Sequence, residues 1–89
     1  MTITRPYGAE DNRVNTAQTE IITRYCKKIG EEVDSLEIYE CAVVAVTKSN
    51  NTYIANISEN SRAMSNISKY TYLKQKINGK QIRIPKTEW

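Results

Sequence analysis

The residues best suited to chemistry in this 89-residue chain are cations and tyrosines near its C-terminal end. Residues 69–89 hold six basic side chains against the single acid Glu88, which gives the segment a charge of +5, whereas the whole chain carries +3. The basic residues are Lys69, Lys74, Lys76, Lys80, Arg83 and Lys86. An anionic partner would be drawn first to this end of the molecule. Tyr70 and Tyr72 lie among the cations, and tyrosine is favoured in contact surfaces because it buries area while keeping a polar hydroxyl.

The sequence disfavours catalysis and metal binding. It has no histidine, which removes a common general base near neutral pH, a common zinc ligand and the base partner of a nucleophile. The remaining candidates, Glu40, Glu59, Cys41 and the tyrosines, have no spacing that suggests an acid–base pair. The three glycines lie far apart and form no phosphate-binding loop. We therefore expect a protein that is not an enzyme and needs neither cofactor nor metal.

The two cysteines are expected to be small, buried, reduced residues. A single pair does not make a disulfide framework, and no secretory signal is visible at the start of the sequence. Cys41 lies in the most apolar stretch of the chain, where a thiolate is disfavoured. Cys26 precedes two lysines and is the better candidate for a reactive thiol.

The length allows one domain, and the elements that position these residues begin after an N-terminal arm. Residues 1–14 show no periodicity and are predicted as the arm, and residues 15–89 as a single α+β domain. A helix of about 18 residues should follow, capped by Asn15 or Thr16 with Gln18 in the reciprocal capping position. Its apolar stripe recurs at steps of three and four residues: Ile21, Ile22, Tyr25, Cys26, Ile29 and Val33.

Residues 36–47 are predicted to form one central strand. Both of its faces are apolar from Cys41 to Val46, so each face should be covered, either within the domain or by a second copy of the chain in a homodimer. Glu40 conflicts with this environment and should lie either at the rim of the sheet or in a polar pocket with a functional partner. After a turn at residues 48–51, Thr52–Ile57 should return as the paired antiparallel strand.

The last third of the chain is predicted to hold a second helix and a second hairpin. Ser58 or Ser61 caps the helix, which runs to about Lys69, although its period could also be extended through residues 70–77. Asn78-Gly79 favours a tight turn that joins Tyr72–Ile77 to Lys80–Ile84. The expected order is α-β-β-α-β-β, and the expected fold is a four-stranded antiparallel sheet with two packed helices.

Pairing across this turn sorts the hairpin into an apolar face and a cationic face. Lys74 falls opposite Arg83, and like charges opposed across a ladder are unfavourable unless an anion relieves them. The apolar face carries Leu73, Ile77, Ile82 and Ile84. The predicted binding residues are Lys69, Tyr70, Tyr72, Lys74, Lys76 and Arg83. An alternative explanation is that lysines on an edge hairpin guard against aggregation.

These features together predict a non-enzymatic cytoplasmic binding protein that occupies an anionic or acidic partner surface, with no membrane association. The partner would be a protein with an acidic or nucleic-acid-binding surface. By analogy with short Asn-, Ser- and Lys-rich accessory proteins of phages and mobile elements, one concrete form is an inhibitor of a host nucleic-acid-handling defence machine. The alternative is a direct nucleic-acid or nucleotide-binding module, in which the hairpin cations meet phosphates and tyrosines stack on bases.

Overall fold

A computed structural model describes residues 1–7, 13–57 and 71–89. In chain order the elements are β1 (Thr2–Thr4), α1 (Arg13–Lys28), β2 (Val33–Ile38), β3 (Ala42–Thr47), β4 (Thr52–Ile57), β5 (Thr71–Ile77), β6 (Lys80–Ile84) and a 3-10 turn (Lys86–Glu88). The strands form one six-stranded sheet in sequential order, parallel between β1 and β2 and antiparallel elsewhere.

This architecture corrects the predicted fold. A four-stranded antiparallel sheet with two packed helices is wrong: the sheet is mixed and six-stranded, and the described ranges contain one α-helix. Of the two additional strands, β1 lies in the predicted arm, and the other arises because the predicted central strand is divided into β2 and β3. The predicted second helix, from residue 58 or 61 to about 69, lies outside the described residues.

The N-terminal segment supplies an edge strand. Thr2 and Thr4 of β1 pair in parallel with Ser35 and Glu37 of β2. A parallel neighbour needs a crossover connection, and α1 provides it between the two strands. The division of the chain into an arm (1–14) and a domain (15–89) stays a prediction.

Helix α1 is shorter than predicted; Ile22 and Cys26 of the predicted stripe are buried, and the buried face extends toward the N-terminal end of the helix. The chain reverses at Gly30, whose φ of +79° is readily adopted only by glycine, so Val33 opens β2 instead of ending the helix. The buried positions of α1 are Asn15, Gln18, Ile22 and Cys26. Two amides therefore take positions in the buried stripe, and the predicted capping role of Asn15 and Gln18 is wrong because the helix begins at Arg13.

The predicted central strand, residues 36–47, is a hairpin. The chain turns between β2 and β3, where the Tyr39 amide donates to the Ala42 carbonyl at 2.8 Å. Ile38 then pairs with Val43. Glu40 lies exposed in this connection, as expected if it sits at the rim of the sheet rather than in a pocket.

Two buried amides of α1 satisfy the backbone of this turn. Asn15 Nδ2 donates to the Tyr39 carbonyl at 2.7 Å, and Gln18 Nε2 donates to the Cys41 carbonyl at 2.7 Å. Asn15 Nδ2 also lies 3.4 Å from Gln18 Oε1. Main-chain carbonyls in folded proteins are paired with donors, and here the helix provides two of them to the turn.

The hydrophobic core lies between α1 and the face of the sheet that it covers. Ten buried residues form the cluster: Ile22, Cys26, Leu36, Ile38, Val43, Ala45, Tyr53, Ala55, Leu73 and Ile84. The opposite face, called the outer face below, carries Val44, Val46 and Ile54, which are partly exposed. Within the described ranges no element packs over it, and coverage of both faces stays a prediction. The homodimer stays a prediction.

Both later turns follow the predicted chemistry. Asn50, Asn78 and Gly79 have positive φ angles of 64°, 51° and 79°, as tight hairpin turns require. The register of β5 with β6, including Lys74 opposite Arg83, is confirmed. Residues 71–77 are therefore a strand and do not continue a helix. No helix in the described part of the chain is long and apolar enough to cross a membrane.

We predict that Gln18→Ala destabilises the fold by about 1–3 kcal/mol, because it removes a buried donor to the Cys41 carbonyl. The free energy of unfolding from urea denaturation measures the effect. Gln81→Ala is the matched control: Gln81 is exposed on β6, so its loss should change stability by less than about 0.5 kcal/mol. Equal stability of the two variants would show that the Gln18 amide does not hold the turn.

Candidate functional site

The outer face of β5 and β6 carries a row of cations. Tyr72, Lys74 and Lys76 alternate along β5 and therefore point to the same side. Arg83 lies directly opposite Lys74 on β6, and Gln81 lies opposite Lys76. The structure thus brings together Tyr72, Lys74, Lys76 and Arg83 from the predicted binding set. The other two predicted residues, Lys69 and Tyr70, lie outside the described residues.

Arg83 is stacked on the ring of Tyr72. Its guanidinium carbon lies 4.0 Å from the ring centroid, well within the distance at which a cation is attracted to an aromatic face. The Tyr72 ring therefore binds the Arg83 guanidinium through a cation–π contact. In the β5–β6 register the Arg83 backbone lies opposite Lys74, which carries the same charge.

These cations have no internal counter-charge in the described part of the chain. Lys48, in the β3–β4 turn, forms an ion pair with Glu32, which precedes β2, at 3.1 Å. No described carboxylate pairs with Lys74, Lys76 or Arg83. Among the residues that the structure describes, the row therefore carries positive charge without an ion-pair partner.

An apolar strip borders the cations. Val44 pairs with Ile54, which in turn pairs with Lys74, so one row across the outer face runs from apolar to cationic. Val46, Thr52 and Lys76 form the next row in the same way. We call this surface the outer patch; it consists of Val44, Val46, Ile54, Tyr72, Lys74, Lys76 and Arg83.

The sequence reasoning missed the apolar half of the outer patch. Residues 36–47 were predicted to form one strand, covered on both faces from Cys41 to Val46 either within the domain or by a second copy of the chain. The polar run Tyr39-Glu40, set between two apolar runs, was the available signal that the chain turns there.

On the far side of the same face, Glu37 accepts a hydrogen bond from the Tyr39 hydroxyl at 2.7 Å, and this bond is the main reason that the pKa of Tyr39 is raised.

A cleft of about 330 Å³ opens where β5 begins and β6 ends, next to the outer patch. It is lined by Thr71, Tyr72, Arg83, Ile84, Pro85, Lys86 and Trp89. Trp89 is fixed in the wall, because its indole Nε1 donates to the Ile84 carbonyl at 3.1 Å. From the end of α1, Lys28 Nζ donates to the main-chain oxygens of Glu88 and Trp89, each at 3.1 Å.

The accessible thiol is that of Cys41 and not that of Cys26, which reverses the predicted order of reactivity. Cys26 is fully buried under the sheet, and burial, with a smaller contribution from Glu31, raises the pKa of its thiol to about 11. Cys41 is exposed, so its predicted burial is wrong; the turn between β2 and β3 takes it out of the core. In the described ranges no group of three Cys, Asp or Glu side chains is placed to hold a metal ion. Glu59 lies outside them.

Comparison with known proteins finds no relative: no family model matches the chain, and neither the curated proteins nor the solved structures contain a match.

We predict that only Cys41 reacts quickly with a thiol reagent in the native protein. At about pH 8 a thiol with a raised pKa is almost entirely protonated, so Cys26 should react at least about a hundredfold more slowly. Alkylation followed by peptide mapping measures both sites. In denaturant both should react, and the native Cys41→Ser variant should lose the fast phase. A fast phase that survives in this variant would contradict the burial of Cys26.

Proposed function

We propose that this protein is a non-enzymatic binding protein whose outer patch docks on an acidic protein surface. One observation carries the proposal: Lys74, Lys76 and Arg83 share a face with a partly exposed apolar strip, and no described carboxylate pairs with them.

The cations favour an anionic partner because they repel one another. Lys74 and Arg83 are direct cross-strand neighbours, and like charges in that position are destabilising. An acidic surface would remove this repulsion on binding and would also accelerate the encounter through long-range attraction.

The apolar strip favours a protein over a nucleic acid. Protein interfaces combine an apolar centre with a polar or charged rim, and Val44, Val46 and Ile54 beside the cations have that arrangement. Binding of single strands depends on open aromatic faces on which bases stack, yet the Tyr72 ring already carries Arg83 on one face. One concrete form of the proposal is an inhibitor from a phage or mobile element. It would occupy an acidic surface of a host defence protein that handles nucleic acid.

The triple variant Lys74→Glu, Lys76→Glu and Arg83→Glu should lose its partner while remaining folded. We expect an acidic protein to co-purify with the wild type from lysate of the source cell and to survive nuclease treatment. The triple variant should retain less than about a tenth of it, since three attractive contacts become repulsive. Quantitative mass spectrometry measures the captured protein, and circular dichroism checks the fold.

The matched control carries the same charge change away from the outer patch: Arg24→Glu, Lys27→Glu and Lys80→Glu. Arg24 and Lys27 lie on α1, and Lys80, opposite Ile77, points to the other side of the hairpin from Arg83. This variant should keep the partner. Equal retention by both triple variants would remove the outer patch from consideration. A partner released by nuclease would favour the nucleic-acid alternative, for which a single strand contacting the three cations should weaken about twentyfold between about 50 and 200 mM salt.

A further inference from the structure

The cleft beside the outer patch has the size and lining of a small recognition pocket. Its volume of about 330 Å³ lies near the lower end of ligand pockets, which begin at about 300 Å³. Ile84, Pro85 and Trp89 provide apolar walls, and Arg83 and Lys86 bring positive charge. A cleft of this size suits one apolar side chain and its neighbouring main chain better than a large ligand.

The walls of the cleft are held in place before binding. Trp89 is tied to β6 through its indole donor and to α1 through Lys28, which contacts the main chain of residues 88 and 89. Trp89 also packs against the hydrophobic core. A preorganised aromatic wall lowers the entropy that binding would otherwise cost.

The cations at the cleft favour a carboxylate. A guanidinium stacked on a ring keeps its N–H edges available, and these edges match the two oxygens of a carboxylate. Arg83 has this arrangement on Tyr72. Lys86 Nζ lies 5.6 Å from the centroid of the Trp89 ring. A cation lies over one face of the Tyr72 ring and over one face of the Trp89 ring, so the two rings are not both free to stack on a nucleobase.

We propose that this cleft is the anchor site for an acidic peptide segment of the partner. The cleft takes an apolar side chain of the segment against Trp89 and Ile84, and a neighbouring Asp or Glu of the segment pairs with Arg83. This proposal rests on the proposed function, since it assigns a recognition element to the same acidic protein partner. The shared residues Tyr72 and Arg83 make the cleft continuous with the outer patch.

Trp89 is the only tryptophan of the chain, so its fluorescence reports directly on the cleft. The probe is a blocked tetrapeptide with the sequence Asp-Glu-Leu-Asp, titrated into the wild-type protein. We expect a saturable change in Trp89 emission. A peptide with lysines in place of the acids, and one with glycine in place of leucine, should each bind at least about tenfold more weakly.

Arg83→Gln should weaken the acidic peptide about tenfold, and Arg83→Lys should give an intermediate loss because it keeps the charge but not the two-pronged geometry. Lys80→Gln, on the same hairpin but outside the cleft lining, should leave the affinity unchanged. Four results would overturn the proposal: no saturable response, equal binding of the lysine peptide, an unchanged affinity in Arg83→Gln, or tighter binding of adenosine monophosphate than of the peptide.

A double variant separates this proposal from the proposed function. Lys74→Glu with Lys76→Glu leaves the lining of the cleft intact. If this variant loses the captured protein while the wild type shows no peptide response, the outer patch is the docking surface and the cleft is not the anchor. If it keeps the captured protein and Trp89 still responds to the acidic peptide, the cleft proposal stands and Lys74 and Lys76 are excluded from the docking surface.

Discussion

Two buried side-chain amides on α1 hold the structure to its observed topology. Asn15 and Gln18 donate to the carbonyls of Tyr39 and Cys41, at the point where the chain turns from β2 into β3. The Cys41 carbonyl also accepts from the Ile57 amide of β4. Both bonds satisfy main-chain carbonyls of the turn, so packing of the helix stabilises the turn. The helix in turn buries two polar side chains that would be unfavourable without these acceptors.

The turn decides which residues lie on which face of the sheet. Side chains alternate along a strand, so a reversal at residues 39–41 sets β3 independently of β2. Val43 and Ala45 then join Leu36 and Ile38 under α1. The residues between them, Val44 among these, fall on the outer face. The apolar half of the outer patch is thus a consequence of this reversal, which the two hydrogen bonds from α1 stabilise.

The cations on β5 and β6 fit two roles that are compatible. In the sheet order β6 is the last strand, and charged side chains on an edge strand discourage pairing with other chains. The same charges, held without a described counter-ion and with Arg83 seated on Tyr72, suit the proposed acidic partner. An edge that resists self-association remains open for a partner of opposite charge. The proposed cleft extends this surface toward Trp89, where the chain returns to the end of α1.

The sequence alone determined the features that depend on neighbouring residues. Asn78-Gly79 requires positive φ angles, so the β5–β6 register, and with it the cationic row, could be predicted from about a dozen residues. The same is true of the β3–β4 turn. The reversal at residues 39–41 has only a short local signal, the polar pair Tyr39-Glu40, and its side-chain donors lie 24 and 23 residues away in the chain. The cleft depends on a contact spanning 60 residues, from Lys28 to Glu88. Local backbone preferences depend on adjacent residues, whereas hydrogen bonds between distant segments form only once the chain has packed.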